Sequence, residues 1–197
     1  GPQGTLFGKS ASAGVVNIVT KGPSKSLSGG LNVTAATDED YRVEGSLSGS
    51  FGGTDSGFRL GGFYHSFKGN VHNLTSGHWL NDSNAYGIRG KVKLALSPAV
   101  TLTLGGAWAR NDQSGTATTI RSINPAGTPR VLGSAAAPLV PSLTGITPGA
   151  GNKDARVDAE GANTNETGTL SARLVADLGT VNLIAVTGYQ DWKYNFQ

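Results

Sequence analysis

The sequence predicts an all-β fold, in which about seven antiparallel strands form part of a transmembrane β-barrel. Three observations predict it. Apolar and polar residues alternate along much of the chain, no convincing helix of three turns is present, and the connections between strands are alternately short and long. The chain has 197 residues, of which 37% are hydrophobic and 30 are glycine. In compact soluble domains about 45–50% is usual when glycine is counted, and in this chain glycine is the counterweight to the low hydrophobic content.

The alternation is clearest from Tyr41 to Phe51, where the odd positions are apolar or small and the even positions are Arg42, Glu44 and serine. Such a period of two places all apolar side chains on one face of a strand. Seven segments are predicted as strands: Leu27–Ala35, Tyr41–Phe51, Phe58–His65, Tyr86–Leu96, Val100–Trp108, Leu170–Leu178 and Val181 to about Asn195. Most are near the ~9–11 residues that a tilted strand needs to cross a bilayer.

The connections support a barrel more than the strands do. Those after the second, fourth and sixth strands are short, at 53–56, 97–99 and 179–180. Those after the third and fifth strands are long, at 68–85 and 111–166, whereas 37–40, after the first strand, is a short exception. Outer-membrane barrels alternate tight periplasmic turns with extended external loops. We therefore expect the proline-rich segment 111–166 to be an external loop at the barrel mouth.

Composition and spacing exclude several classes of protein. The absence of cysteine excludes disulfide scaffolds, zinc ribbons and thiol catalysis. The net charge of +3 is scattered, so nucleic acid is not an expected partner. No nucleophile, paired carboxylate or ligand cluster stands in a defined frame, so we expect no enzyme activity, cofactor or metal site. His65, His72 and His78 are interpreted as solvated, with contact to an iron chelate as the alternative, and the acidic turn 38–40 is also interpreted as solvated.

Two sets of side chains have an interpretation that depends on the barrel. One set follows the polar side of the alternation: Arg42, Glu44, Arg59, Arg89, Lys91, Lys93 and Arg173. In a barrel these residues line the lumen, where they could also favour anionic cargo, whereas in a soluble sandwich they form an ordinary wet face. The other set is predicted to lie near strand ends as membrane-interface aromatics: Tyr86, Trp108, Tyr189 and Trp192. In a sandwich they would be core aromatics.

The first 21 residues do not follow the alternation. Glycines at 4, 8 and 14 suit tight turns, and 15–20 reads as a short β-branched strand. This segment closely resembles the end of the plug domain of TonB-dependent outer-membrane receptors, where a Gly-Pro-Gln-Gly-Thr-Leu-Tyr-Gly-like run precedes Gly-x-x-Asn-Ile-x-Thr-Lys. Phe7 stands here in place of the commoner Tyr. The residues that carry the resemblance are Gly1, Pro2, Gln3, Gly4, Leu6, Phe7, Gly8, Gly14, Asn17, Ile18 and Thr20.

A second stretch, 70–112, is similar to the third and fourth strands of siderophore-type receptors of the same family. The resemblance implies that 1–26 is the C-terminal end of a plug domain and that 27–197 is the N-terminal part of a barrel of about 22 strands. It implies a bacterial outer-membrane location in contact with lipid and energy-coupled uptake of a scarce solute, above all a ferric siderophore. It also implies the TonB–ExbB–ExbD complex as a partner, acting through a more N-terminal region.

Two alternatives stay open from the sequence. A passive outer-membrane barrel would lack the plug-like start of the chain. A secreted soluble β-protein such as an adhesin would have no reason to keep its long loops at one end. Because the chain starts at Gly1 without methionine or a signal peptide, we also expect it to be part of a longer protein.

Overall fold

The computed structural model describes residues 19–51, 55–122 and 145–197. Within these ranges the chain forms ten strands. Their bounds are β1 Ser28–Ala36, β2 Asp40–Ser50, β3 Gly57–Phe67, β4 Val71–Asn73, β5 Trp79–Leu80, β6 Ser83–Ser97, β7 Val100–Ser114, β8 Asp154–Ala155, β9 Ala162–Asp177 and β10 Asn182–Phe196. Apart from Thr20, the residues on which the plug resemblance depends lie in 1–18, outside the described part.

Seven of the strands form one sheet in the order β1-β2-β3-β6-β7-β9-β10. Every neighbouring pair is antiparallel. The predicted all-β fold and the seven antiparallel strands are therefore confirmed. The described strands form an open sheet, with β1 and β10 at its two edges.

β7 and β9 are longer than the alternation predicted. β7 continues to Ser114 and β9 begins at Ala162, so the connection predicted at 111–166 is only 115–161. Residues in these extensions are polar on both faces, and Asp112 pairs with Thr164 in the ladder. Backbone hydrogen bonds thus continue past the point where the hydrophobic pattern stops. The hydrophobic alternation in the sequence therefore marks the extent of the apolar band, which is shorter than the strands.

The connections divide between the two ends of the sheet as the loop lengths predicted. Since consecutive strands are antiparallel, the turn after β1 and the long connections after β3 and β7 leave from one end. We call this the loop end. The connections after β2, β6 and β9 are at the other end and are short.

The long connections carry a second sheet that the sequence did not predict. β4 pairs with β5 antiparallel and with β8 parallel, which joins the connection after β3 to the connection after β7. We call residues 68–82, 115–122 and 145–161 together the rim lobe. It contains the described hydrophobic core cluster, formed by Val71, Leu80, Ala117 and Ala155 with Val157 packed against it.

The large sheet, in contrast, has no layer packed on its apolar face within the described residues. Leu94, Leu102 and Leu174 are Cα partners across β6, β7 and β9, and they are half-buried among their neighbours. Ile88 is 62% exposed on the same face and Leu170 is 64% exposed. A soluble two-layer sandwich would bury these side chains. The exposure of these apolar side chains is therefore that of a single sheet with no second layer packed on it.

Candidate functional site

The apolar face of the large sheet is the first candidate functional surface. Leu47, Leu60, Ile88, Leu104 and Leu170 point to this face and are 42–64% exposed. Soluble monomers rarely expose contiguous apolar patches larger than a few hundred Å². An apolar face that extends over seven strands is suited to contact with another apolar medium or surface.

Aromatic side chains form an oblique border to this face. They are Tyr41, Tyr64, Tyr86, Trp108 and Tyr189, on β2, β3, β6, β7 and β10. Tyr64 and Tyr86 are Cα partners, whereas the partner of Trp108 is Ile88, two residues farther from the loop end. Following the register from Tyr41 across the sheet leads to Asn195 on β10, six residues beyond Tyr189. The border therefore shifts by six residues along the strands as it crosses the sheet.

Side chains on the loop-end side of this border are polar. Arg110 and Asp112 form an ion pair there at 2.9 Å, and the Trp108 indole N–H donates to Glu166 Oε1 at 3.1 Å. Trp108 thus has its ring on the apolar face and its donor turned toward the charged side. Amphipathic rings take this orientation at a boundary between an apolar and a polar phase.

Three of the four predicted interface aromatics share this face, and one does not. Tyr86, Trp108 and Tyr189 lie on the apolar face, but Trp192 pairs with Thr167 on the opposite, polar face. Trp108 and Tyr189 also lie near the middle of their strands rather than near an end. The reason is that the strands are longer than the apolar band. The placement near strand ends predicted for these two residues was wrong.

The predicted polar residues do share one face. The register places all seven on the face opposite the aromatic border: Arg42, Glu44, Arg59, Arg89, Lys91, Lys93 and Arg173. Arg42 and Glu44 form an ion pair at 2.7 Å. Within 19–51, 55–122 and 145–197, the other five cations make no ion pair. The polar face therefore has an uncompensated positive charge.

Residues that precede β1 lie against this polar face. Lys91 Nζ donates to the backbone oxygen of Thr20 at 3.0 Å and to its hydroxyl at 2.7 Å. Val19, Thr20 and Lys21 border a cavity of about 700 Å³ that lies over Arg59, Arg89 and Lys91. A second cavity of about 600 Å³ lies over Arg42, Glu44, Arg59 and Arg89. The chain enters the sheet from its polar side.

The rim lobe is held by a polar cluster that the sequence did not reveal. The side chain of Asn73 is fully buried. Its amide N–H groups donate to Val157 O at 2.8 Å and to Glu160 Oε1 at 2.6 Å, and its oxygen accepts from the Val157 N–H at 3.1 Å. Glu160 also accepts from the Ser76 hydroxyl and contacts His78 at 2.9 Å. These hydrogen bonds, led by the one from Ser76, lower the pKa of Glu160 to about 2.

Ion pairs connect the rim lobe to the turn after β1. Asp38 and Glu39 lie in this three-residue turn with positive φ of 61° and 53°. Asp38 pairs with Lys153 at 2.6 Å, and Glu39 pairs with Lys68. The acidic turn is therefore bound to both long connections and is not merely solvated, as the sequence interpretation had it.

The three histidines also have partners at the loop end. The ring nitrogens contact carboxylate oxygens in the pairs His65–Asp40 at 2.8 Å, His72–Asp154 at 3.3 Å and His78–Glu160 at 2.9 Å. The interpretation of solvated histidines was therefore incomplete. The described residues contain no group of three or more side chains placed to hold a metal ion. The described part of the chain likewise has no helix long and apolar enough to span a bilayer.

Part of the chain is similar to a curated receptor. A stretch of 49 residues is 45% identical to the pesticin receptor of Yersinia enterocolitica and to the pesticin receptor of Yersinia pestis. This stretch is 25% of the chain and 7% of the length of each relative. The match therefore shows similarity to these receptors over that stretch alone. No family model matches the chain, and no solved structure matches it significantly.

Proposed function

We propose that this chain belongs to a TonB-dependent receptor of the bacterial outer membrane that imports a scarce solute, a ferric siderophore. In this proposal 27–197 is the N-terminal part of the barrel and 1–26 is the end of the plug. The apolar face contacts lipid, and the polar face lines the lumen. The TonB–ExbB–ExbD complex supplies energy through a more N-terminal part of the protein.

The oblique aromatic border is the observation that carries this proposal. Strands of a closed barrel are tilted, so a level membrane interface crosses successive strands at shifted positions. The aromatic border shifts by six residues, relative to the line of Cα partners, over the five steps from β2 to β10. A shift of this kind is expected when tilted strands cross a level membrane interface. An aromatic girdle above an apolar band is typical of outer-membrane barrels.

Three further observations support the receptor over other barrels. The N-terminal motif resembles a plug end, and Lys91 holds Thr20 on the polar face, where a plug would lie. The matched relatives are named as receptors for pesticin. The long connections meet in a folded rim lobe at one end, where a receptor meets its ligand.

The lipid contact is tested with two tryptophans on opposite faces. Variants that retain only Trp108 or only Trp192, with the other tryptophans changed to Phe, are reconstituted into vesicles containing brominated lipids. We expect strong quenching of Trp108 fluorescence and little quenching of Trp192, because only Trp108 faces the apolar side. Equal quenching of both residues, or of neither, would contradict the assignment of the faces.

Transport is tested in cells that express the complete receptor under iron starvation. We expect ferric-siderophore accumulation that stops when the proton-motive force is collapsed by an uncoupler. Accumulation insensitive to the uncoupler would favour the passive barrel. A protein that stays monomeric in buffer without detergent would favour the secreted soluble β-protein.

A further inference from the structure

The polar face contains a cavity whose charged lining residues are all cations. The cavity of about 700 Å³ described above is bordered by Lys21, Arg59, Arg89 and Lys91, and no carboxylate is among its lining residues. We call it the basic cavity. Four hydroxyl groups also border it, those of Thr20, Ser46, Thr169 and Ser171. Every charged group that faces this space is a hydrogen-bond donor.

The cations are brought together by the register and not by the sequence spacing. Arg59 and Lys91 are direct Cα partners on β3 and β6. Arg89 lies two residues from Lys91 on the same face of β6. Its side chain passes over Gly61, where a Cβ atom would lie 3.5 Å from Arg89 Nε. Like charges placed directly opposite each other destabilise a sheet. The pairing therefore costs stability unless an anion lies between the side chains.

Neighbouring parts of the chain do not supply that anion. Residues 1–26 contain Lys9, Lys21 and Lys25 but no aspartate or glutamate. Glu44 lines the neighbouring cavity together with Arg59 and Arg89, but its carboxylate is paired with Arg42 at 2.7 Å. Lys91 is directed to the oxygens of Thr20, and Arg59 and Arg89 have no acidic partner within the described residues at ion-pair distance.

We propose that the basic cavity binds an anionic group, a carboxylate or phosphate carried by a small solute. Two guanidinium groups and the ammonium of Lys21 provide several donors, and guanidinium binds carboxylate or phosphate oxygens in pairs. This inference rests on the transport function proposed above, and it makes that solute an anion. The cavity lies away from the rim lobe, so it is a second contact point, inside the polar face.

The test is a titration of the complete protein in detergent by isothermal calorimetry. The probes are citrate and inorganic phosphate, with glucose as the neutral control. We expect saturable binding of citrate and phosphate and none of glucose. Because a hydrogen bond to a charged group is worth about 1.5–3 kcal/mol, Arg59→Gln and Arg89→Gln should each weaken citrate binding by about tenfold or more.

Arg121→Gln is the matched control, since Arg121 is exposed and lies outside the cavity. It should leave citrate binding unchanged, and Arg59→Lys should weaken binding less than Arg59→Gln. The inference is overturned if the native protein binds neither anion. It is also overturned if Arg59→Gln lowers the melting temperature without any effect on citrate, since an acidic side chain of the same protein would then fill the cavity.

The outcome is separable from that of the proposed function. Uncoupler-sensitive uptake without anion binding would refute only the basic cavity. Anion binding with uncoupler-insensitive uptake would refute the energy-coupled receptor and leave the site in place.

Discussion

Asn73 offers the sharpest test of how the rim lobe is held together. Its side chain is fully buried and joins the connection after β3 to Val157 and Glu160, which lie more than 80 residues later in the chain. Asn73→Ala removes both amide donors and the acceptor at once. The backbone N–H and carbonyl of Val157 lose their partner in a region that water reaches only in part.

The expected cost follows from those unpaired groups. A buried polar group left without a partner costs about 1–3 kcal/mol. For two partly buried groups we expect a loss of about 2–3 kcal/mol in the local stability of the rim lobe. Since about 1.4 kcal/mol is a factor of ten, amide exchange in the lobe should accelerate by about 30- to 140-fold.

The two best reporters are amides that cross between the long connections. The His72 N–H donates to Lys153 O at 2.7 Å, and the Leu74 N–H donates to Ala155 O at 2.9 Å. Their exchange should accelerate, while exchange in the paired centres of β6 and β7 stays constant. Asn84→Ala is the control, because Asn84 is exposed. Unchanged exchange at Leu74, or an equal acceleration in β6 and β7, would contradict the role assigned to Asn73.

Two further predictions concern acid and lipid. Because the pKa of Glu160 is lowered from 4.5 to about 2, its contribution to lobe stability is complete above about pH 4.5 and is lost as the pH falls toward 2. Lobe amide exchange measured over this range should show that loss, and the slope should flatten in Glu160→Gln. Leu104→Arg places a charge within the apolar band and should lower the unfolding free energy in lipid vesicles by about 2–4 kcal/mol. Thr101→Arg, on the polar face of the same strand, should cost much less, and equal costs would contradict the face assignment.

The sequence predicted correctly those features that depend on a single strand, namely where the strand lies and which face each side chain is on. Alternation located the seven strands of the large sheet, and it put Arg42, Arg59 and Arg173 on one face, as the register does. Loop lengths identified the end from which the long connections leave. These properties depend on neighbours within about ten residues, which a period of two records directly.

The sequence failed where contacts join distant segments. Nothing around Asn73 indicates that its partners are Val157 and Glu160, and the polar ends of β7 and β9 carry no hydrophobic alternation. Trp192 was assigned to the interface by residue type, although its parity along β10 places it on the polar face. That parity was available in the sequence, since Trp192 is three residues from Tyr189 and so points the opposite way.

The amino-acid pattern was enough to predict antiparallel strands with one apolar and one polar face, and to separate residues 1–21 from that pattern. The contacts between residues on neighbouring strands could be read only from the folded sheet. Register sets the slope of the aromatic border and the pairing of Arg59 with Lys91. The contact of Lys91 with Thr20 depends on the path that the chain takes before β1. The physical reason is that alternation fixes the face of a side chain, whereas its neighbours depend on how far each strand slides along the next.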